Sequence, residues 1–146
     1  MSIEAAGEKD LGELATLRAL LWPEDGEADH PADARRVLAH PDMITFVARD
    51  GDNIIGFAEA SIRRDYVNGC ATTPVAFLEA IYVRENARRK GVARALILAV
   101  ENWARSRGLS ELASDAFLAN SQSHRMHQAL GFSETERVVY FRKNLD

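Results

Sequence analysis

The feature that most constrains this chain is a buried strand that leads through a basic turn into a long amphipathic helix. Val75–Val83 is almost entirely apolar, which is typical of a strand covered on both faces of a sheet. Three consecutive basic residues, Arg88–Lys90, follow it, and Gly91 opens a segment whose apolar residues recur at helical spacing as far as Gly108. Such a unit requires a sheet with a helix packed on it, so the chain must combine α and β structure.

The rest of the chain supplies short elements on either side of this unit. Apolar runs bounded by turn residues predict further strands at Ile3–Ala6, Met43–Arg49, Ile54–Ile62, Leu109–Ser114 and Thr135–Arg142. Helical spacing predicts helices after Asp10, at Ala32–Ala39 and at Ser121–Leu130, besides the one that begins at Gly91. This order predicts an α+β fold with an antiparallel start and a strand–helix–strand–helix–strand tail.

Local signals predict where several of these elements begin and end. Asp10 and Glu13 have the spacing of a capping box at the start of the first helix. The turn at 50–53, Asp-Gly-Asp-Asn, predicts a hairpin between two strands. Asn120 is the expected N-cap of the last helix, and Gly131 is its expected C-terminal stop.

Length and composition exclude several classes of protein. The 146 residues, 47% hydrophobic and 27% charged, predict a single globular domain at 1–146. No apolar run approaches the roughly 20 residues of a membrane span, the N-terminus lacks the pattern of a secretion signal, and Cys70 is the only cysteine. We therefore expect a cytoplasmic protein without a membrane partner. The net charge of -4 argues against nucleic acid as the main partner.

The basic turn has the composition of an anion site. The first N–H groups of a helix have no internal partners and lie at the positive end of its dipole. Gly91 lets the backbone approach a diphosphate closely, Ala93 is small for the same reason, and Arg88–Lys90 add positive charge. The alternative is a solvated basic helix start. The turn contains neither a Walker loop nor a dinucleotide fingerprint.

The remaining reactive residue types do not form a recognisable centre. Cys70 has no His or basic residue within four positions, so nothing local activates its thiol, and we expect no covalent enzyme intermediate. His30, His40, His124 and His127 lack the spacing of metal ligands, and we expect no metal.

The strand, the turn Arg88–Ala93 with its Arg-x-x-Gly-x-Ala pattern, and the closing Leu130-Gly131-Phe132 resemble the GNAT acetyltransferase superfamily. The resemblance implies a mostly antiparallel twisted sheet with a splayed parallel strand pair, flanked by about four helices. It also implies acetyl-coenzyme A as cosubstrate. The implied cofactor contacts are Ile81, Tyr82 and Val83 through their backbone, the turn residues Arg88, Arg89, Lys90, Gly91, Val92, Ala93 and Arg94, and Asn120.

One position departs from the family pattern. Many members have a Tyr seven residues after the Asn, and that Tyr protonates the departing thiolate. Here the position is His127. A His can donate a proton at neutral pH, so His127 is a candidate general acid, with packing or cofactor contact as the alternative.

Several further segments are similar to the aminoglycoside 6'-N-acetyltransferases. They include Phe77–Glu79, Glu111–Asp115, Ser123–His127 and Glu134–Lys143. This resemblance implies an aminoglycoside substrate, acetylation of its 6'-amine, antibiotic resistance, and a homodimer that pairs through its C-terminal strands. The implied substrate contacts are Trp22, Tyr66, Glu79, Asp115 and Glu136.

The residues themselves support an acidic site. Alternation along the strand predicts that Glu79 shares a face with Ile81 and Val83. A carboxylate in an apolar strand needs a partner, which a cationic ligand would supply. Arg63 or Arg137 is the alternative partner.

Asp115 follows a short parallel strand, so we expect it at the carboxyl edge of the sheet, where ligands bind; capping of the next turn is the alternative. An alkyl amine titrates near about 10.4 and must lose a proton before it attacks. We therefore expect Glu79 and Glu136 mainly to bind the amine and Asp115 to accept its proton, directly or through water. The alternative for Glu136 is that its side chain is simply exposed to solvent. The alternative for Trp22 and Tyr66 is that they anchor the core or a loop.

Two other functions remain open from sequence alone. One is an acetyltransferase for a polyamine, a small metabolite amine or a protein N-terminus. The other is an idle coenzyme A-binding dimerisation module, which would bind acetyl-coenzyme A without turnover.

Overall fold

A five-stranded sheet with helices on both faces forms the centre of the computed structural model, which describes Met1–Asp146. The strands are β1 Ser2–Ala5, β2 Met43–Asp50, β3 Asn53–Arg63, β4 Val75–Val83 and β5 Leu112–Ser114. The helices are α1 Leu11–Leu21, α2 His30–Ala39, α3 Val92–Ser106 and α4 Ser121–Ala129. None of these helices has the length and apolar composition that a membrane span requires.

The strands lie in the sheet in chain order, and only the last pair is parallel. β1 to β4 pair antiparallel with their neighbours, whereas β4 and β5 run parallel because α3 makes the crossover between them. The predicted sheet, mostly antiparallel with one parallel pair and four flanking helices, is therefore confirmed. β5 is shorter than the predicted Leu109–Ser114.

Two apolar clusters cover the two faces of the sheet. On one face, α3 packs Leu96 and Val100 against Ala58 and Leu78, and all four are at most 3% exposed. On the other face, α1 and α2 cover a cluster that includes Phe57, which is fully buried. The amphipathic pattern that predicted α3 is explained by this position, because one stripe of the helix faces the sheet and the opposite side faces solvent.

Three of the predicted boundaries are confirmed. The side-chain Oδ1 of Asn120 accepts from the N–H of Ser123 at 3.1 Å at the start of α4. Gly131 follows α4 with φ of 93°, a left-handed conformation that favours glycine. In the β2–β3 hairpin Asp50 pairs with Asn53, and Gly51 between them has φ of 62°.

The predicted capping box at Asp10 is wrong. Its carboxylate accepts from the N–H of Gly7 at 2.8 Å and from the guanidinium of Arg49 at 2.7 Å, so it does not cap α1. Glu13 instead accepts from the N–H of Ile54 at 3.1 Å. Burial opposes ionisation of Asp10, yet the hydrogen bonds from Arg49 and Gly7 outweigh it and hold the pKa of Asp10 below its usual value. The carboxylate thus joins α1 to β2.

The predicted last strand, Thr135–Arg142, is also wrong for this chain. The segment forms no strand, and its large apolar side chains are exposed, from 54% at Val138 to 91% at Phe141. A run of β-branched and aromatic residues favours a strand only where a neighbouring strand accepts its hydrogen bonds. No strand of the chain pairs with it, because the sheet ends at the three residues of β5.

Candidate active site

A β-bulge in β4 determines where Glu79 points. Glu59 of β3 lies opposite Ala80, while the next residue, Ala60, lies opposite Leu78. Glu79 is therefore an extra residue with no partner across the ladder. Bulges of this kind bend a strand and redirect a side chain, and they are common beside functional sites.

The bulge overturns the alternation predicted for Glu79. Ile81 and Val83 pack with the α3 cluster, whereas Glu79 faces the opposite side of the sheet. There its carboxylate accepts from the hydroxyl of Ser61 at 2.7 Å and from Nε and Nη2 of Arg63 at 3.0 and 2.9 Å. Of the two cationic alternatives that the sequence left open, the partner is Arg63.

A cleft of about 440 Å³ lies where β5 ends, and it collects three of the predicted substrate residues. Tyr66, Asp115 and Glu136 line it, together with Arg63, through which Glu79 is connected to it. The hydrogen bond to Glu79 is the main cause of the raised pKa of Arg63, and the charges of Glu79 and Asp115 add to it. The cleft wall carries two arginines, Arg63 and Arg64, and three carboxylates, Asp65, Asp115 and Glu136.

Trp22 does not line this cleft. It follows α1 and stacks on the ring of His30, with 6.4 Å between ring centres, and the Arg18 guanidinium lies 4.8 Å from its ring centre. Arg18 forms a buried ion pair with Glu59. Burial raises the pKa of Glu59 in spite of this pair, and the charge of Glu79 adds to the rise. A substrate contact by Trp22 stays a prediction.

The edge of β4 is open beyond the point where β5 ends. The parallel pairing stops at Leu78 and Ser114, while β4 continues to Val83. Ile81 and Tyr82 are half-buried, and on one side their strand has no neighbour. Backbone groups along such an edge need hydrogen-bond partners from outside the sheet. This edge fits the backbone contacts that were predicted for Ile81, Tyr82 and Val83.

The start of α3 fits a diphosphate. Gly91 has φ of 80° and Arg89 has φ of 64°, and no side chain caps the helix. The N–H groups of its first turn, Val92–Arg94, therefore have no partner within the helix and lie at the positive end of its dipole. Arg88 is held by its Nε, which donates to the Val83 carbonyl at 2.8 Å. The exposed side chains of Arg89 and Lys90 add the charge that an anion requires.

The side chain of Arg94 does not lie at the predicted phosphate site. Its Nη2 donates to the carbonyl of Ala129 at 3.1 Å, near the end of α4. The side chain therefore joins α3 to α4, and only the backbone of Arg94 faces the anion site.

The structure brings His127 together with a residue that sequence reasoning missed. Nε2 of His127 lies 2.7 Å from Oγ of Ser114, which is the last residue of β5 and lines the cleft. Nδ1 lies 2.7 Å from the carbonyl oxygen of Ser123, one turn earlier in α4. Phe132 contacts the imidazole edge-on, with 5.1 Å between ring centres. The one sequence signal for Ser114 was its position beside Asp115 at the end of a strand.

The thiol of Cys70 is not activated. Burial raises its pKa, and the nearby charge of Glu111 raises it further. Thiolate is the reactive form, so this environment disfavours nucleophilic chemistry at Cys70. The structure holds no group of three His, Cys, Asp or Glu side chains with the geometry of a metal site.

Two proteins similar to this chain in sequence or fold are aminoglycoside 6'-N-acetyltransferases. The chain is 54% identical over 130 residues to the aminoglycoside N(6')-acetyltransferase type 1 of Serratia marcescens, covering 88% of this chain and 89% of that protein. It superimposes with a TM-score of 0.94 on an apo aminoglycoside antibiotic 6'-N-acetyltransferase from Acinetobacter haemolyticus, with 46% identity and 100% of both chains covered.

A second solved structure contains a bound analogue. AAC(6')-Iy in complex with the bisubstrate analog CoA-S-monomethyl-acetylneamine superimposes with a TM-score of 0.93 and 44% identity, covering 99% of this chain and 98% of that one. The model of the acetyltransferase (GNAT) family matches residues 14–132. With the open β4 edge and the glycine turn before α3, these likenesses agree on one conclusion: the chain belongs to the GNAT family of acetyltransferases.

Proposed function

We propose that this protein transfers the acetyl group of acetyl-coenzyme A to the 6'-amine of aminoglycoside antibiotics and thereby confers resistance to them. The observation that carries the proposal is the cleft beside β5, which places two carboxylates, Asp115 and Glu136, next to the open edge of β4. The Serratia marcescens relative and the Acinetobacter haemolyticus protein are aminoglycoside 6'-N-acetyltransferases. The structure of AAC(6')-Iy contains a bisubstrate analog. These likenesses support the choice of the 6'-amine. The predicted single domain at 1–146 would hold both substrates.

The open edge and the start of α3 would hold the cosubstrate. The backbone of Ile81–Val83 offers hydrogen bonds to the pantetheine arm, and the turn Arg88–Arg94 offers N–H groups and charge to the diphosphate. Asn120 caps α4 with its Oδ1, so only its side-chain N–H₂ remains for this arm. Acetyl-coenzyme A supplies the activated acetyl thioester.

The cleft must both attract a cation and release a proton from it. At pH 7 fewer than about one in 10³ alkyl amines is neutral, a handicap of about 4–5 kcal/mol. Glu136 and Glu79 bind the amine, and Glu79 shares its charge with Arg63. Asp115 is exposed in the cleft and accepts the proton, directly or through water. In this division, Glu79 and Glu136 bind the protonated amine and Asp115 deprotonates it.

Transfer is direct within a ternary complex. Cys70, the only thiol, has a raised pKa and is a poor nucleophile. His127 supplies the proton that the leaving sulfur requires. A cytoplasmic location is supported by the presence of a single cysteine.

The working form is a homodimer that pairs through residues 135–142. Tyr140 and Phe141 are 88% and 91% exposed in the isolated chain. Large apolar side chains that are exposed next to one another are typical of a protein–protein interface. A strand from a second copy would provide the ladder partner that this segment lacks. The resemblance to the aminoglycoside enzymes implied the same arrangement.

Thiol release with a panel of amines tests the proposed function. Kanamycin-type aminoglycosides with a 6'-amine should give turnover, and an aminoglycoside with a hydroxyl in place of that amine should give none. Spermidine, small metabolite amines and peptides serve as the competing substrates. Preference for one of these would contradict the choice of substrate, and acetyl-coenzyme A binding without turnover on any amine would indicate an idle module.

A further inference from the structure

The Ser114–His127 pair has a defined hydrogen-bond direction. A carbonyl oxygen only accepts, so Nδ1 of His127 must donate to Ser123 O at 2.7 Å. The hydroxyl of Ser123 lies at 3.3 Å from the same nitrogen. Neutral His127 has no second proton, and its Nε2 must then accept from the hydroxyl of Ser114 at 2.7 Å.

The charged form of His127 reverses this bond. An imidazolium donates at both nitrogens, so Nε2 would donate to Oγ of Ser114 while Nδ1 keeps its bond to Ser123. The hydroxyl proton of Ser114, a residue of the cleft wall, is then free to donate to another acceptor. His127 lies in the last turn of α4, where the helix dipole attracts positive charge.

Ser114 occupies the point where the two parallel strands separate. Its partner across the ladder is Leu78, the last residue of β4 that pairs with β5, and Asp115 follows it directly. The bulge at Glu79 begins one residue beyond that pair. A thioester lying along the open edge of β4 therefore ends beside Ser114, with the predicted base on one side and His127 on the other.

We propose that the hydroxyl of Ser114 protonates the sulfur of coenzyme A during transfer, and that His127 is a positioning residue that acts through it; this rests on the proposed function. A bond forms between the substrate nitrogen and the acetyl carbon, and the carbon–sulfur bond breaks with its electron pair on sulfur. Sulfur takes the proton of Ser114 Oγ, and Oγ takes the proton of His127 Nε2. His127 becomes neutral and is protonated again from solvent. Asp115 passes to solvent the proton that it takes from the ammonium before the attack, and it then takes the second proton that the nitrogen loses as the amide forms.

The rival role for the pair is nucleophilic, with neutral His127 removing the proton of Ser114 and the acetyl group moving onto Oγ. A nucleophile activated in this way usually has its base oriented by a third group. Here that third group is the uncharged carbonyl of Ser123, which accepts from Nδ1 in either role, so the two roles are separated by whether an acetyl group accumulates on Ser114.

Changing the leaving group separates protonation of sulfur from a structural role. Ser114→Ala should lower kcat with acetyl-coenzyme A by about 10²-fold, the lower range for one general acid. The selenium analogue of the donor leaves as a stable anion and needs no proton, so with it the same variant should stay within about threefold of the native protein. Ser114→Thr keeps the hydroxyl and should retain activity with both. Equal losses with the two donors, or no loss, would overturn the proposal.

A double-mutant cycle tests whether His127 acts through Ser114. His127→Gln alone should lower kcat, and the same change on Ser114→Ala should add nothing further, because the relay is already broken. Additive losses would show that His127 has an independent role. Far-ultraviolet circular dichroism and thermal melts of each variant establish that the fold is intact.

Two readouts do not depend on turnover. By calorimetry the native protein should bind coenzyme A more tightly than its desulfo analogue, and Ser114→Ala should abolish the difference while Ser114→Thr keeps it. Intact mass after incubation with acetyl-coenzyme A should show no acetyl group; acetylated Ser114 would establish the nucleophilic role and overturn the relay. If the native protein prefers an amine other than an aminoglycoside, the variants are compared on that amine, so the two proposals fail separately.

Discussion

Arg63 donates from Nε and Nη2 to the two carboxylate oxygens of Glu79, at 3.0 and 2.9 Å. The pair lies at the edge of the cleft, with 42% of the Arg63 side chain and 23% of the Glu79 side chain exposed. Arg63 also covers the ring of Phe77, with its guanidinium carbon 3.4 Å from the ring centre. Glu79 is therefore already paired in the free protein, and a cationic substrate that bound Glu79 would share it with Arg63.

Removing Arg63 should strengthen substrate binding. Arg63→Ala leaves Glu79 with the Ser61 hydroxyl as its remaining donor, so KM for a polycationic amine should fall by about fivefold, the scale of one exposed ion pair. kcat should not rise, because a free carboxylate also stabilises the protonated amine. Arg35→Ala, which breaks an exposed pair with Glu8 outside the cleft, is the matched control and should leave KM nearly unchanged. A higher KM in Arg63→Ala would mean that the guanidinium itself binds the substrate.

Asp115 should be needed for the chemical step rather than for binding alone. Asp115→Asn is nearly isosteric and should lower kcat by about 10²- to 10⁴-fold, the range for loss of a general base. Asp65→Asn removes a charge from the same cleft wall and should change KM more than kcat. Steady-state kinetics over a pH series is the measurement. Near-normal kcat in Asp115→Asn with an unshifted pH profile would contradict the assignment.

Asp10 should contribute stability that is lost in acid. Its pKa is lower in the folded chain than in the unfolded one, so its contribution is present above the ordinary aspartate range and disappears as the pH falls through the lowered pKa. Asp10→Asn should lower the free energy of unfolding at pH 7 by about 1.5–3 kcal/mol, and the deficit should shrink below about pH 4.

The control for Asp10 is an exposed pair. Asp33 pairs with Arg36 on α2, and their side chains are 35% and 62% exposed. Asp33→Asn should cost less than about 0.5 kcal/mol at either pH. Urea unfolding at pH 7 and at about pH 3 measures both variants. A deficit in Asp10→Asn that grew in acid would reverse the sign of the linkage.

The exposed C-terminal segment should control oligomeric state. Phe141→Asp places a charge among the apolar residues proposed to pair between copies, so it should shift the protein from dimer to monomer. Leu98→Asp changes another exposed apolar residue, 53% exposed on α3, and should leave the dimer intact. Sedimentation velocity at several protein concentrations is the measurement. A native protein that sediments as a monomer would refute the dimer.

Much of the fold was accessible from sequence because its signals are local. The apolar stripe of α3, the turn at Gly51 and the Asn120 cap are each set by residues within a few positions of one another, and the structure confirms all three. The parallel pair followed in the same way, since one long amphipathic helix joins the two strands.

The misses came from interactions between distant segments. The bulge at Glu79 depends on the register that β3 imposes on β4, and no residue near Glu79 signals it. The carboxylate of Asp10 does not cap α1, as was predicted, because it binds Arg49 of β2. The pair of Ser114 and His127 forms where β5 meets α4, so the sequence offered two unrelated residues.

The open edge of β4 leaves backbone groups beyond Leu78 without a neighbouring strand, so another molecule can pair with them. Under the proposed function, the unpaired backbone groups of this edge would bond to the pantetheine arm in place of water. A ligand that binds only the folded state adds about 2.7 kcal/mol to the free energy of unfolding at a hundredfold excess over its Kd. Acetyl-coenzyme A well above its Kd would therefore raise the free energy of unfolding of this chain as well as supply the acetyl group.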